Sequence, residues 1–394
     1  AGNLREEIPN WKGGLYIRSR YDWRLELERG EKTMVEEKKL SGISWEEFNA
    51  LPLTAKGAYF QGTPPHTLIA QQFTRAKLQE LCALATRIKR VNKRREGANF
   101  LKTLLSDKRA MLYFAQPSSR TYLSHNAACQ ILGLDTMDVR DTKTSSEVKG
   151  ESPEDTIRTF SSYADMIIMR HPVGGFAERV AWMLAHTGRE IPVLNAGSGA
   201  DQHPTQALLD IYTLERSFEK IGGVDGKNIV FVGDLMRGRT VRSLAWMLTL
   251  YNDATLYFVA PEPLQIGADI LELLDAAGTK YVVTDDFAST MPIADAIYMT
   301  RIQDEWDADG ESSVIDTTSF SIGAEHMDVI KDTCVILHPL PRRKEVSTDI
   351  DNDPRAMYWR QMRNGMWIRA ALILTTFGRE AEAHRYYDDY KPES

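Results

Sequence analysis

The 394 residues call for two or three domains at about 150 residues each, which excludes a single small module. Hydrophobic residues make up 43% and charged residues 26%, so a large core is available and wholesale disorder is excluded. With 48 Lys and Arg against 55 Asp and Glu, the net charge of −7 argues against nonspecific nucleic acid or an anionic membrane as partner; any anion must be gripped locally. Cys82, Cys129 and Cys334 are far apart and odd in number, which rules out a disulfide framework and a four-thiolate zinc centre. No run approaches the ~18 apolar residues of a membrane span, and Ala1 to Asn10 hold no apolar signal stretch, so a cytoplasmic location is expected.

Residues 1–65 mix charged and aromatic residues without periodicity and close on Pro64-Pro65, and are expected to form an N-terminal extension or arm. From Thr74 onward, Leu78, Leu81, Cys82, Leu84, Ala85 and Ile88 recur at the spacing of an amphipathic helix. Its basic end, Arg87 to Arg95, is read as a solvated helix end. Short apolar runs then alternate with helical patterns. Strands are expected at 111–114, 166–169, 191–196 and 228–234, then in the runs TLYFVAP, KYVVTD, AIYMTR and CVILHPL. Such alternation predicts an α/β fold of two doubly wound parallel-sheet domains with a cleft between them. The expected division is 66–205 for the first domain and 206–362 for the second. The apolar pattern within 363–380 predicts a C-terminal helix packing back on the first domain, and the tail after it is expected to fray.

Six segments carry chemistry. Ser118-Ser119-Arg120-Thr121 falls between a strand and a helix, where unpaired amides, hydroxyls and a guanidinium suit a phosphate dianion; plain helix capping by a serine is the competing reading. Arg170 ends a strand at the edge where open α/β sheets bind ligands, as a clamp or as a surface charge. His203 and Gln206 flank a helix start; together they suit a small polar group, or His203 merely caps the helix. Arg237, Arg239 and Arg242 cluster in the loop after the strand at Asn228, without the glycine spacing of a dinucleotide site. Arg301 with Gln303, and His338-Pro339-Leu340-Pro341, end two further strands. No metal-spaced cluster, Walker loop or nucleophile elbow appears, so no metal and no cofactor is expected.

In this order, S-S-R-T, R-H-P, H-P-T-Q, D-L-x-x-G-R-T and H-P-L-P resemble the aspartate/ornithine carbamoyltransferase family over about residues 66 to 380. Pro339, where ornithine enzymes carry cysteine, and the R-x-Q of Arg301 and Gln303 favour the aspartate (catalytic chain) branch. The resemblance implies transfer of the carbamoyl group of carbamoyl phosphate to L-aspartate in pyrimidine synthesis. It makes 66–205 the carbamoyl-phosphate-binding domain and 206–362 the aspartate-binding domain. Ser118, Ser119, Arg120 and Thr121 would hold the phosphate, and Thr121, Arg170 and His203 would face the carbonyl oxygen. Gln206 and the carbonyls of Pro339 and Leu340 would fix the carbamoyl NH₂, while Arg239, Arg301 and Gln303 would grip the aspartate carboxylates. Ser145 and the catalytic Lys149 would reach the neighbouring subunit's site, which implies a homotrimer. Relatives carry glutamate at Gln116 and arginine at Tyr122 and Trp306, so a carbamoyltransferase for another amine and a noncatalytic scaffold stay open alternatives.

Overall fold

β1 (Arg109–Phe114) is the run RAMLYF, buried everywhere except at its first residue, and a strand buried on both faces reads as continuous apolar sequence because helices cover both sides of a parallel sheet. The computed structural model describes residues 38–140, 150–199, 201–302 and 318–390. Beside β1 lie β2 (Asp135–Val139), β3 (Met166–His171) and β4 (Val193–Ser198) in a parallel sheet of order β2-β1-β3-β4. A second parallel sheet has the order β7-β6-β5-β8-β9. It comprises β5 (Asn228–Val232), β6 (Thr255–Val259), β7 (Lys280–Thr284), β8 (Ala296–Met299) and β9 (Val335–Leu337). Two parallel α/β sheets are the architecture expected from the alternation.

The main helices are α1 (Trp45–Asn49), α2 (Arg75–Val91), α3 (Arg95–Thr103), α4 (Ser119–Leu132), α5 (Pro153–Tyr163), α6 (Phe176–Ala185) and α7 (Pro204–Phe218). They continue with α8 (Arg239–Leu248), α9 (Ala268–Ala276), α10 (Tyr358–Thr376) and α11 (Glu380–Tyr390). α7 runs unbroken through positions 205 and 206, where the sequence reading set its divide, and the chain reaches β5 only after Phe218. α10 packs against α2, α4 and α7, burying Ile368, Ala370, Ala371, Ile373 and Leu374. It begins at Tyr358, before the expected 363, and α10 joins the elements that carry the first sheet's helices to those facing the second.

The structure adds to the sequence reading at three places. β2 was not expected: DTMDV offers only Met137 and Val139 as apolar residues, and the strand is partly exposed along its whole length. The arm expected before Pro64 packs onto the first sheet's helices over its described part. Ser44 caps α1, accepting from Glu47 N at 3.3 Å while its own N–H donates to Glu47 Oε2 at 3.2 Å. α1 places Phe48 edge-on against Tyr59 and Phe60, and Lys56 Nζ meets Glu178 Oε1 at 3.3 Å with both side chains buried. The tail expected to fray is helical: α11 lies on α2, with Arg87 Nη1 on Asp388 Oδ1 at 2.9 Å and Tyr386 stacked on Phe100 at 4.0 Å. The basic end read as solvated is therefore covered in part. Cys129 and Cys334 are buried free thiols whose pKa burial pushes up to about 12. Among the described residues no helix is long and apolar enough to cross a membrane.

Candidate active site

The C-terminal ends of β1, β3 and β4 and those of β5, β8 and β9 open on one cleft of about 540 Å³. Loops leaving parallel strands there are free of ladder pairing, which is why polar side chains collect at that edge. Arg120, Arg170, Arg239, Arg301, Arg363 and Arg369 line the cleft, and among the described residues no carboxylate does. On a chain of net charge −7 this is a local cationic pit suited to a small polyanion.

On the first-sheet side, the loop after β1 leads into α4. Ser118 takes the N-cap position, yet its side chain makes no capping hydrogen bond, so the capping reading of this serine fails and the first-turn amides of α4 stay available. Ser118, Arg120 and Thr121 line the cleft; Ser119, the first residue of α4, is exposed and outside its wall. Arg120 Nη2 reaches across to Leu340 O at 2.8 Å. Burial, then the nearby Arg301 cation, lowers the Arg120 pKa, because the charged form loses water and meets a like charge.

Arg170 is the penultimate residue of β3 and is 9% exposed, so it lines the cleft and is not a surface charge; its Nη1 donates to Ala196 O at 3.3 Å. Gly197 makes that approach possible: its φ is +122°, and a Cβ there would sit 2.7 Å from Arg170 Nη1. His203 precedes α7 and makes no side-chain cap; its backbone N–H donates to Ser243 Oγ at 3.1 Å. Among the described residues the buried ring's Nδ1 has no partner. Burial first, then Arg239, Arg170 and Arg369, hold its pKa well below the usual histidine value. His203 is therefore a neutral imidazole, able to donate one N–H without competing for a proton. Gln206, one turn into α7, gives Nε2 to Asp210 Oδ1 at 3.0 Å.

The second sheet supplies the opposite wall. Arg239 opens α8 and donates Nη1 to Gly199 O, and both Nη atoms to Gln116 Oε1 at 3.3 Å. Gln116, in the loop after β1, thus links the two sheets through a neutral acceptor. Arg301 follows β8 and turns Nη1 to Ile302 O at 2.8 Å. Pro339 and Leu340 follow β9. Leu340 sits at φ +54°, a conformation unusual for leucine, with its N–H on His338 Nδ1 at 2.7 Å. Ser145, Lys149, Gln303 and Trp306 lie outside the described residues.

Arg369, Ser124 and His125 escaped the sequence reading. Arg369 is 3% exposed, donates Nη1 to Ser124 Oγ, and has its pKa lowered to about 10 by burial against the opposing pull of Asp210. Its signal was a lone arginine inside the apolar run MWIRAALILTTFG, a cation that burial tolerates only for a reason. His125 is fully buried, with Nδ1 on Thr121 O at 2.8 Å; it sits behind the start of α4 and gives no motif.

Residues 65–216 match the aspartate/ornithine carbamoyltransferase carbamoyl-P binding domain, and residues 225–376 match the Asp/Orn binding domain of that family. The chloroplastic aspartate carbamoyltransferase 1 of Pisum sativum is 38% identical over 338 residues, covering 85% of this chain and 84% of its own length. The aspartate carbamoyltransferase catalytic subunit of Vibrio cholerae is 38% identical over 309 residues, covering 78% of this chain and 95% of its own. The crystal structure of Trypanosoma cruzi aspartate transcarbamoylase with N-(phosphonacetyl)-L-aspartic acid superposes with a TM-score of 0.70 at 37% identity, over 78% of this chain and 94% of that one. With both sheets, the arginine-lined cleft between them and the two domain matches in agreement, this chain belongs to the aspartate/ornithine carbamoyltransferase family.

Proposed function

We propose that the chain transfers the carbamoyl group of carbamoyl phosphate to the amine of L-aspartate, releasing N-carbamoyl-L-aspartate and phosphate. The observation that carries this is the facing of two anion grips across one cleft: Ser118, Arg120 and Thr121 on one wall, Arg239 and Arg301 on the other. The phosphate dianion sits at the start of α4, on first-turn amides and the Arg120 guanidinium. Thr121, Arg170 and the neutral His203 point donors at the carbonyl oxygen, which gains charge as the tetrahedral intermediate forms, so their effect is greatest where the barrier lies. The aspartate nitrogen attacks the carbonyl carbon and the carbon–oxygen bond to phosphate breaks. The amine proton passes to the departing phosphate, whose basicity rises as that bond opens.

Arg239, Arg301 and Gln303 take the aspartate carboxylates, for which the guanidinium fork supplies two parallel hydrogen bonds. The Gln116 contact to Arg239 is neutral and yields readily to a carboxylate. Gln206 and the carbonyls of Pro339 and Leu340 receive the carbamoyl NH₂. Ser145 and Lys149 belong to a loop that completes the site of a neighbouring subunit, and the working form is a homotrimer in the cytoplasm. Residues 66–205 and 206–362 serve as the two substrate domains, with residues 1–65 as an extension.

Purified protein given carbamoyl phosphate with aspartate or with ornithine tests the reading directly. Phosphate release and a carbamoylated product are expected with aspartate and not with ornithine. Turnover confined to some other amine would move the assignment to a paralogous carbamoyltransferase, and no turnover with any amine to a scaffold.

A further inference from the structure

Asp210 lies one helical turn beyond Gln206 on α7, is 0% exposed, and is not part of the cleft wall. Its carboxylate accepts from three neutral donors on three elements. Oδ1 takes Gln206 Nε2 at 3.0 Å and Gln361 Nε2, from α10, at 2.6 Å; Oδ2 takes the Tyr298 hydroxyl, from β8, at 2.9 Å. An ionised carboxylate only accepts, so each glutamine must turn its NH₂ toward it. A carboxamide is planar, with its oxygen at the other end. For Gln206, a cleft residue, the oxygen that is left is an acceptor for a substrate N–H.

Gln361 carries the same constraint further. With Nε2 on Asp210, its Oε1 accepts the backbone N–H of His338 at 2.9 Å, and His338 Nδ1 in turn accepts Leu340 N at 2.7 Å. This second chain of bonds ends in the turn whose carbonyls reach the same cleft.

We propose that Asp210 is a positioning residue for the carbamoyl NH₂, orienting at once the Gln206 carboxamide and the Pro339-Leu340 turn. The inference rests on the carbamoyl-transfer reading and deepens it. The consequence is selectivity: carbamoyl phosphate carries the NH₂ that these acceptors meet, whereas acetyl phosphate has a methyl there and inorganic phosphate has neither. A glutamine freed from Asp210 can present its own NH₂ instead, which meets the substrate's NH₂ donor to donor.

The test uses the full chain, assayed at about pH 8.5 so that Asp210 is ionised, with KM for carbamoyl phosphate and inhibition constants for acetyl phosphate and inorganic phosphate. Asp210→Ala is expected to raise the KM about tenfold and leave both inhibition constants within about twofold, and the same is expected of Gln206→Ala. In the double variant the two losses should not add, because Asp210 acts through Gln206. Asp210→Asn keeps an acceptor oxygen for both amides, with the Tyr298 hydroxyl accepting from its NH₂, and should restore the KM to within about threefold of wild type. Asp210→Ser, which leaves room for a bound water, provides the same comparison should the alanine variant not fold. Equal loss of all three ligands, additive losses, or an asparagine variant as impaired as Gln206→Ala would each overturn the proposal. A wild-type protein without carbamoyl transfer would instead sink the functional reading, whatever the Asp210 variants do.

Discussion

His203 owes its role to what surrounds it. Burial first, then Arg239, Arg170 and Arg369, hold its pKa well below the usual histidine value and favour the neutral ring, whose N–H can donate. Replacing it with alanine should cut turnover by about 10²–10³ while phosphate affinity changes only a few-fold, because the oxyanion is charged chiefly in the transition state. Steady-state kinetics with phosphate as inhibitor checks this, and unchanged turnover would remove His203 from the mechanism. Asp210 makes a different prediction. Burial raises its pKa from 3.8 to about 7 against the pull of its hydrogen bonds, and the charged or titratable groups beside it, Tyr298 and Arg369, do not titrate below neutrality. A carboxyl whose folded pKa is raised contributes stability that is full below the unfolded value and is lost as pH rises through the folded one. Wild type should therefore lose stability relative to Asp210→Asn between about pH 4 and 7 and hold a constant difference above. Denaturant unfolding across that range reads it; a difference independent of pH would mean that Asp210 keeps one charge state throughout. Motif residues such as Arg120, Arg170 and Gln206 were legible because each ends a strand or starts a helix within its own short segment. Asp210 shares a helix with Gln206, yet its partners Tyr298 and Gln361 are 88 and 151 positions away, and nothing local marks them.

At the scale of elements, apolar periodicity located the strands buried on both faces, since a parallel sheet under helices demands continuous apolar runs. It missed β2 because DTMDV is partly exposed along its whole length and holds only two apolar residues, too few to show a run. The segment around α1 shows the opposite failure: five helical residues are too few to display a period, yet Phe48 is wholly buried among aromatic neighbours. Phe48→Ala should cost about 3–5 kcal/mol of stability through the cavity it leaves. It should also speed proteolytic removal of the chain before Pro64. A stability loss under about 1 kcal/mol would show that the segment rides on the domain without holding it.

For the whole molecule, the cleft exists only because two sheets present their C-terminal edges to each other. α7 and α10 run between them, and the Arg120 bond to Leu340 and the Arg239 bonds to Gln116 cross from one side to the other. If Lys149 completes a neighbouring site, mixing Lys149→Ala chains with Arg239→Ala chains, each inactive alone, should restore part of the activity through sites that carry neither lesion. Trimers of mixed composition with no recovered turnover would show that each chain serves its own site.

Composition and local pattern by themselves determined the class of fold, the order of the main strands and the family motifs, because apolar periodicity and strand-end chemistry are written in consecutive residues. Only the tertiary structure decided that residues 38–63 are packed, that Glu380–Tyr390 is a helix on α2, and that Arg369 enters the cleft while Ser119 stays outside its wall. The same holds for the Asp210 carboxylate behind Gln206 and Gln361. Each of these depends on which residues meet across long stretches of chain, and burial, hydrogen-bond partners and the charge states they impose are properties of that meeting, absent from any one segment read alone.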